Sequence, residues 1–251
     1  MSKGSSAIIF LSKILINRSV IMGFISFVST AISSACSTIG SALSSFASGL
    51  GPVLSTIATH LPKLGEALGQ FANNFLQAVG ILKPDEDVKQ LGERALQAAQ
   101  DGITPEEFDD FDDYVEALRN FEIDPDKAKN RNDVERLVVG LGVGSFGLEK
   151  KFDVAPGSLS AIWLLPVANP EFFTVNRMDS LLQQGKLSGD VFSYLERKLS
   201  AGDAYRMEEG MADALVNSSG VESKEALFAA LDKASDNWHS INDSADNIDK
   251  E

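Results

Sequence analysis

The chain has 251 residues, 44% of them apolar, with 22 Lys+Arg against 36 Asp+Glu and a formal charge of −14. That length and apolar content suffice for a buried core and exclude a wholly disordered chain, while the acidic balance argues against the clustered cations a nucleic-acid surface needs. One cysteine excludes an internal disulfide framework and multi-cysteine zinc motifs, and two histidines, His60 and His239, leave little for metal or acid–base chemistry.

The charge is split along the chain. Residues 1–83 carry Lys3, Lys13, Arg18, Lys63 and Lys83 against Glu66 alone, a net +4, whereas the remainder holds 17 basic and 35 acidic residues, a net −18. Such a break marks a compositional boundary, and Lys83-Pro84-Asp85 sits on it, where proline disfavours a continuous helix. The sequence therefore divides into a weakly basic region 1–83, an acidic region 84–239 and a polar tail 240–251.

Taken in order, Ala7–Leu11 and Ile14–Ile16 add apolar weight around Lys13 and Arg18, and Met22 could serve as an alternative start. From Ser19 to Pro62 run 44 residues without Asp, Glu, Lys or Arg, 15 of them Ser or Thr. Apolar residues recur every eleven positions: Val28, Ile39, Leu50 and Leu61; Ile32, Leu43 and Leu54; Ala35, Phe46, Ile57 and Leu68. About 3.67 residues per turn keeps such a stripe almost straight on one helix face, and Ser29, Ser33, Ser37, Ser41, Ser44 and Ser48 occupy the other. The pattern predicts amphipathic helices near 23–48, 53–60 and 63–81, interrupted at Gly49-Leu50-Gly51-Pro52 and at His60-Leu61-Pro62.

Four uses of an uncharged stripe compete. A membrane-spanning helix needs about 20 mostly apolar residues, and Val20–Cys36 begins apolar and turns serine-rich. A secretory signal would use Lys13 and Arg18 as its basic region, and Cys36 invites a lipoprotein reading, although Ser33 stands where an aliphatic residue is wanted. An interfacial helix would bury one face among lipids, and helix-on-helix packing, within the chain or between copies, would exploit the small residues. The interfacial and packing readings fit best. They make Phe24, Val28, Ile32, Ile39, Leu43, Phe46, Leu50, Leu54, Ile57, Leu61, Leu68, Phe71 and Phe75 the contact residues for membrane lipid or for a helical protein partner, including a second copy of the chain.

The acidic region reads as a multi-helix domain. Helices are expected over 85–100, from Thr104-Pro105-Glu106-Glu107 to Asn120, and near 126–139, 158–165, 170–184, 188–200, 203–216 and 222–239, with caps at Thr104, Asp124, Asn169, Ser188 and Asp203. Strand signals are scarce. Gly142-Val143-Gly144-Ser145-Phe146-Gly147, preceded by Leu137-Val138-Val139, matches the dinucleotide G-x-G-x-x-G pattern but lacks a full helix after it and βαβ alternation around it, so it reads as an apolar loop or a packed helix end. Asp124–Glu135 imitates a calcium loop yet puts Lys129 where glycine is needed. Asp109–Asp113 reads as a solvated helix face, Trp163 as core, and neither histidine has a recognisable nucleophile context.

Together these features predict a mainly α protein, with a long uncharged amphipathic N-terminal helical arm followed by an acidic multi-helix domain. The expected function is non-enzymatic, with no cofactor, metal or nucleic acid: membrane contact or insertion through the arm, as would suit a virion- or secretion-associated delivered protein. The alternative is a structural assembly whose arms pack in an oligomer. Membrane-associated, secreted or virion-associated placement follows from the first reading, and a cytoplasmic one from the second.

Overall fold

The computed structural model describes residues 39–187, 190–216 and 223–248, and these are mainly helical, with no strand among them. After a 3-10 turn at Ser41–Leu43 come α1 (Ser44–His60), α2 (Pro62–Ala78), α3 (Val88–Gln100), α4 (Phe111–Asn120), α5 (Pro125–Lys129) and α6 (Asp133–Lys151). A 3-10 turn at Ser160–Trp163 leads into α7 (Leu164–Ala168), followed by α8 (Val175–Gln183), α9 (Val191–Leu195), α10 (Ala201–Leu215) and α11 (Lys224–Ile248).

Local chemistry sets most of these limits. Asp87 caps α3 by accepting from the N–H groups of Lys89 at 2.7 Å and Gln90 at 3.3 Å, satisfying donors that the first turn leaves free. Asp110, Asp124, Asn132, Asp190 and Ser200 cap α4, α5, α6, α9 and α10 in the same way. Gly80, at φ +76°, turns the chain out of α2, and the N–H groups of Ile81 and Leu82 both return to the Leu76 carbonyl. A left-handed residue just past a helix end favours glycine because it has no Cβ to clash.

Several expected boundaries move. Gly49–Pro52 does not interrupt the first helix: Pro52 lies inside α1. An interior proline costs about 3 kcal/mol, and the burial of Leu50, Leu54 and Ile57 on the same helix offsets it. The Thr104–Glu107 cap starts only a 3-10 turn, and the helix restarts at Phe111 under Asp110. The helix expected over 126–139 splits at Asn130–Asn132 into α5 and α6, the expected starts at Asn169 and Asp203 give way to Val175 and Ala201, and the expected cap Ser188 lies outside the described residues, α9 beginning at Val191 under Asp190. Asp203 is not the cap of α10 but donates its N–H to the one that is, Ser200. The polar segment from Ser240 continues α11 to Ile248, held in part by Asn242, which donates to Glu196 at 3.1 Å.

The glycine-rich motif is neither a loop nor a helix end. It lies within α6, buried along its whole length from Leu137 to Glu149. A Cβ on Gly140 would sit 1.9 Å from the Val88 carbonyl oxygen, and one on Gly92 of α3 would sit 2.0 Å from the Arg136 carbonyl oxygen. The α3 and α6 backbones therefore meet directly. Gly142, Gly144 and Gly147 admit Phe46 of α1, Leu76 of α2 and Phe111 of α4 on other sides of the helix. Each glycine weakens an isolated helix by about 1 kcal/mol, a cost offset by making α6 the axis around which its neighbours pack.

The charge break at Lys83–Pro84 falls in the loop between α2 and α3 without dividing the core. Asn73 of α2 donates to the Asp87 carboxylate and accepts from the Val88 N–H, both at 2.7 Å, so α2 helps to cap α3. Arg119 of α4 ties the loop further, donating to Glu86 at 2.7 Å and to the Ile81 carbonyl at 3.0 Å. α1 packs on α6 and α11, and α2 on α7 and α8, within one contiguous apolar cluster. Trp163, fully buried, packs edge-on to Phe75 at 6.0 Å and donates its indole N–H to Ser145 Oγ at 2.8 Å.

Candidate membrane or partner contact surface

The stripe is the candidate site, and the structure divides it. Phe24, Val28 and Ile32 lie outside the described residues. From Ile39 onward the stripe turns inward: Ile39, Leu43, Phe46, Leu50, Leu54, Ile57, Leu68 and Phe75 are all less than 5% exposed and belong to the chain's own core. Phe71 packs against that core, stacked on Phe75 with ring centroids 5.8 Å apart. Periodicity identified these residues as one buried face but could not say what buries it. The answer for 39–75 is α6, α7, α8 and α11 of the same chain, not an external surface.

Leu61 is the exception. It caps the end of α1 and begins α2, where Pro62 occupies the first helical position, and it is only half-buried. With His60, Pro62, Lys63 and Leu64 it lines an open, predominantly apolar groove of about 650 Å³ at the α1–α2 corner. The groove opens beside an uncharged face of α1. Gly49, Pro52, Val53, Thr56 and His60 stand at i, i+3, i+4, i+7 and i+11 on α1, so they share a face, and all are exposed or half-buried. Sequence reading singled out Leu61 but missed this face, because it placed a helix break at Gly49–Pro52 where α1 in fact runs through.

The other chemical candidates resolve into structure. Asp110 is a helix cap, and Asp109 and Asp112 line an open cleft with Lys150 and Lys151, whose Nζ is held by the Val79 carbonyl at 2.6 Å. In the segment resembling a calcium loop, Asp124 and Asn132 cap helices and Arg131 pairs with Glu93 and Glu135. Among the described residues no group of three or more His, Cys, Asp or Glu side chains could hold a metal ion, and no helix is long and apolar enough to cross a membrane.

Glu149 and Glu86 have acidities shifted in opposite directions. Burial pushes the Glu149 carboxyl up, and the N–H groups of Gly157 and Leu159 offset this only in part. Burial also raises Glu86, but the Arg119 guanidinium and the Lys83 N–H together outweigh it and hold the carboxyl below its usual value of 4.5. A depressed carboxyl binds its proton less readily folded than unfolded. The Glu86 contribution is therefore present above about pH 4.5 and lost as pH falls, whereas that of Glu149 is present below this range and lost as pH rises through its folded value. Glu86→Gln is expected to lower stability by about 1–2 kcal/mol near neutral pH and much less near pH 3. Thermal unfolding across that range checks this, and an undiminished deficit in acid contradicts it.

No family model, curated protein or solved structure matches the chain.

Proposed function

We propose that the protein is a non-enzymatic, membrane-contacting helical protein whose outward-facing apolar residues lie upstream of Ile39. The supporting observation is the division of the stripe: its later members, Leu61 excepted, are consumed by the chain's own core, so the reading assigns contact with an outside surface to Phe24, Val28 and Ile32. They sit in a segment with favourable chemistry for that role. Residues 1–38 contain Lys3, Lys13 and Arg18 and no acidic residue, and Val20–Val28 has seven apolar residues in nine. Serine and threonine opposite the stripe supply hydroxyls rather than cations, so binding rests on apolar burial, at about 25 cal/mol per Å², and favours curved, loosely packed bilayers.

Vesicle flotation of the full chain tests this reading. The unaltered protein should float with small phosphatidylcholine vesicles and do so less with large ones. Phe24→Asp combined with Val28→Asp and Ile32→Asp should abolish flotation while leaving the body's unfolding transition in place. Failure of the unaltered chain to float, together with lipid-independent oligomers by light scattering, would favour the assembly reading instead.

A further inference from the structure

Among the described residues, the hydrogen bonds that tie residues 154–159 to α6 converge on Glu149. Its carbonyl accepts from the Val154 N–H at 3.0 Å, and its carboxylate accepts from the N–H groups of Leu159, at 3.0 Å, and Gly157. Ser158 Oγ is buried and makes no hydrogen bond, so it adds nothing to that hold. One side chain therefore fastens the strap that joins α6 to the 3-10 turn at Ser160–Trp163.

That side chain is a carboxyl only 4% exposed, and among the described residues no cation pairs with it. On its own helix Lys150 lies over the Phe146 ring at 5.4 Å, and Lys151 Nζ is held by the Val79 carbonyl. Asp153 stands exposed where the strap begins, and residues 154–168, covering the strap, the 3-10 turn and α7, carry no charge. α4 and the turn after α2 meet α6 at Gly147 through Phe111 and Ile81; they bring Asp109, Asp110 and Asp112 to the open cleft with Lys150 and Lys151. α1, α2 and α3 meet α6 farther back, through Phe46, Leu76 and Val88. An ionised carboxylate buried without a cation is costly, and hydrogen bonds from backbone N–H groups repay only part of the cost. Burial accordingly raises the Glu149 carboxyl above its usual 4.5 despite its two donors.

We propose that residues 154–159 form a pH-sensitive strap, closed over the end of α6 while Glu149 is protonated and released as Glu149 ionises and reaches for water. The release is local. Ala155 and Pro156 at the strap's tip are already exposed, and Trp163 beyond it is anchored separately, on Ser145 Oγ and against Phe75. In the open strap the carboxyl regains its usual 4.5, below its value in the closed one. Opening is therefore rarest below about pH 4.5, grows by up to about tenfold per pH unit above it, and levels off once pH passes the closed-state value. The strap owes nothing to the membrane-contact reading.

Amide hydrogen exchange on the full chain, followed from about pH 4 to about pH 8 and corrected for base catalysis of exchange itself, reads the opening. Protection of the Gly157 and Leu159 N–H groups should fall by about tenfold or more across that range, while that of Val143, in the middle of α6, does not fall with it. Glu149→Gln cannot ionise and keeps a carbonyl oxygen for the Leu159 N–H, so its protection there should stay level. Level protection in the unaltered chain, the same fall in Glu149→Gln, or a parallel fall at Val143 overturns the strap. Should Glu149→Gln fail to fold, the carboxyl carbon-13 shift of Glu149 in the unaltered chain decides. A titration midpoint above 4.5, in step with the loss of Leu159 protection, supports the strap, and one at or below 4.5 overturns it.

Discussion

Gly140→Ala should be among the most damaging single-methyl changes in the chain. Its Cβ would meet the Val88 carbonyl oxygen at 1.9 Å and the Val88 carbonyl carbon at 2.9 Å. Both belong to backbone, so no side chain can rotate aside and the α3 and α6 axes must separate. Overpacking typically costs about 1–3 kcal/mol where side chains can adjust, so a clash with a fixed helix backbone should cost about 3 kcal/mol or more. For a chain of this size that corresponds to a fall in Tm of roughly 10 °C. Gly92→Ala, aimed at the Arg136 carbonyl from the other helix, should behave similarly. Gly185→Ala provides a contrast, since its Cβ meets nothing within 4 Å and the only penalty is its φ of +64°. Thermal unfolding of the three variants checks the ranking, and equal losses would contradict direct backbone contact between α3 and α6.

The second large effect separates the two halves of the stripe. Leu54 is fully buried on α1, so Leu54→Ala should cost about 2–5 kcal/mol through lost transfer energy and the cavity left behind. Leu54→Asp should prevent folding near neutral pH, because a carboxylate there has no partner. Phe46→Asp should act likewise, its side chain lying against Gly142 in the centre of the bundle. Phe24→Asp should change body stability by no more than about 0.5 kcal/mol. A stripe devoted throughout to an outside surface would show small losses at both positions, and denaturant titration distinguishes the outcomes.

The helical character of the chain was legible in its sequence because 3.6-residue periodicity and capping residues act locally. Asp124 and Pro125 open α5 as their types require, and Gly102, at φ +82°, closes the turn after α3. Long-range packing was not legible. Gly49, Gly51 and Pro52 read as a break, but α1 runs through them since its apolar face is buried on both sides of the proline. Gly142–Gly147 read as irregular because glycine is a poor helix former, yet those positions are where α1, α2 and α4 come close to α6. The serine-rich arm likewise revealed its apolar face and not the partner that covers it, since burial by the same chain and burial by a membrane select the same residue types.

Hydrogen exchange on the full chain, with and without phosphatidylcholine vesicles, tests the division of the stripe at Ile39 most directly. Residues 44–78 should exchange slowly in both conditions, because α1 and α2 are integral to the core, and vesicle-dependent changes should be confined to residues before 39 and to the His60–Leu64 corner. Fast exchange across 44–78 in the absence of lipid, followed by strong protection when vesicles are added, would show that these helices are completed by the membrane and would contradict the account.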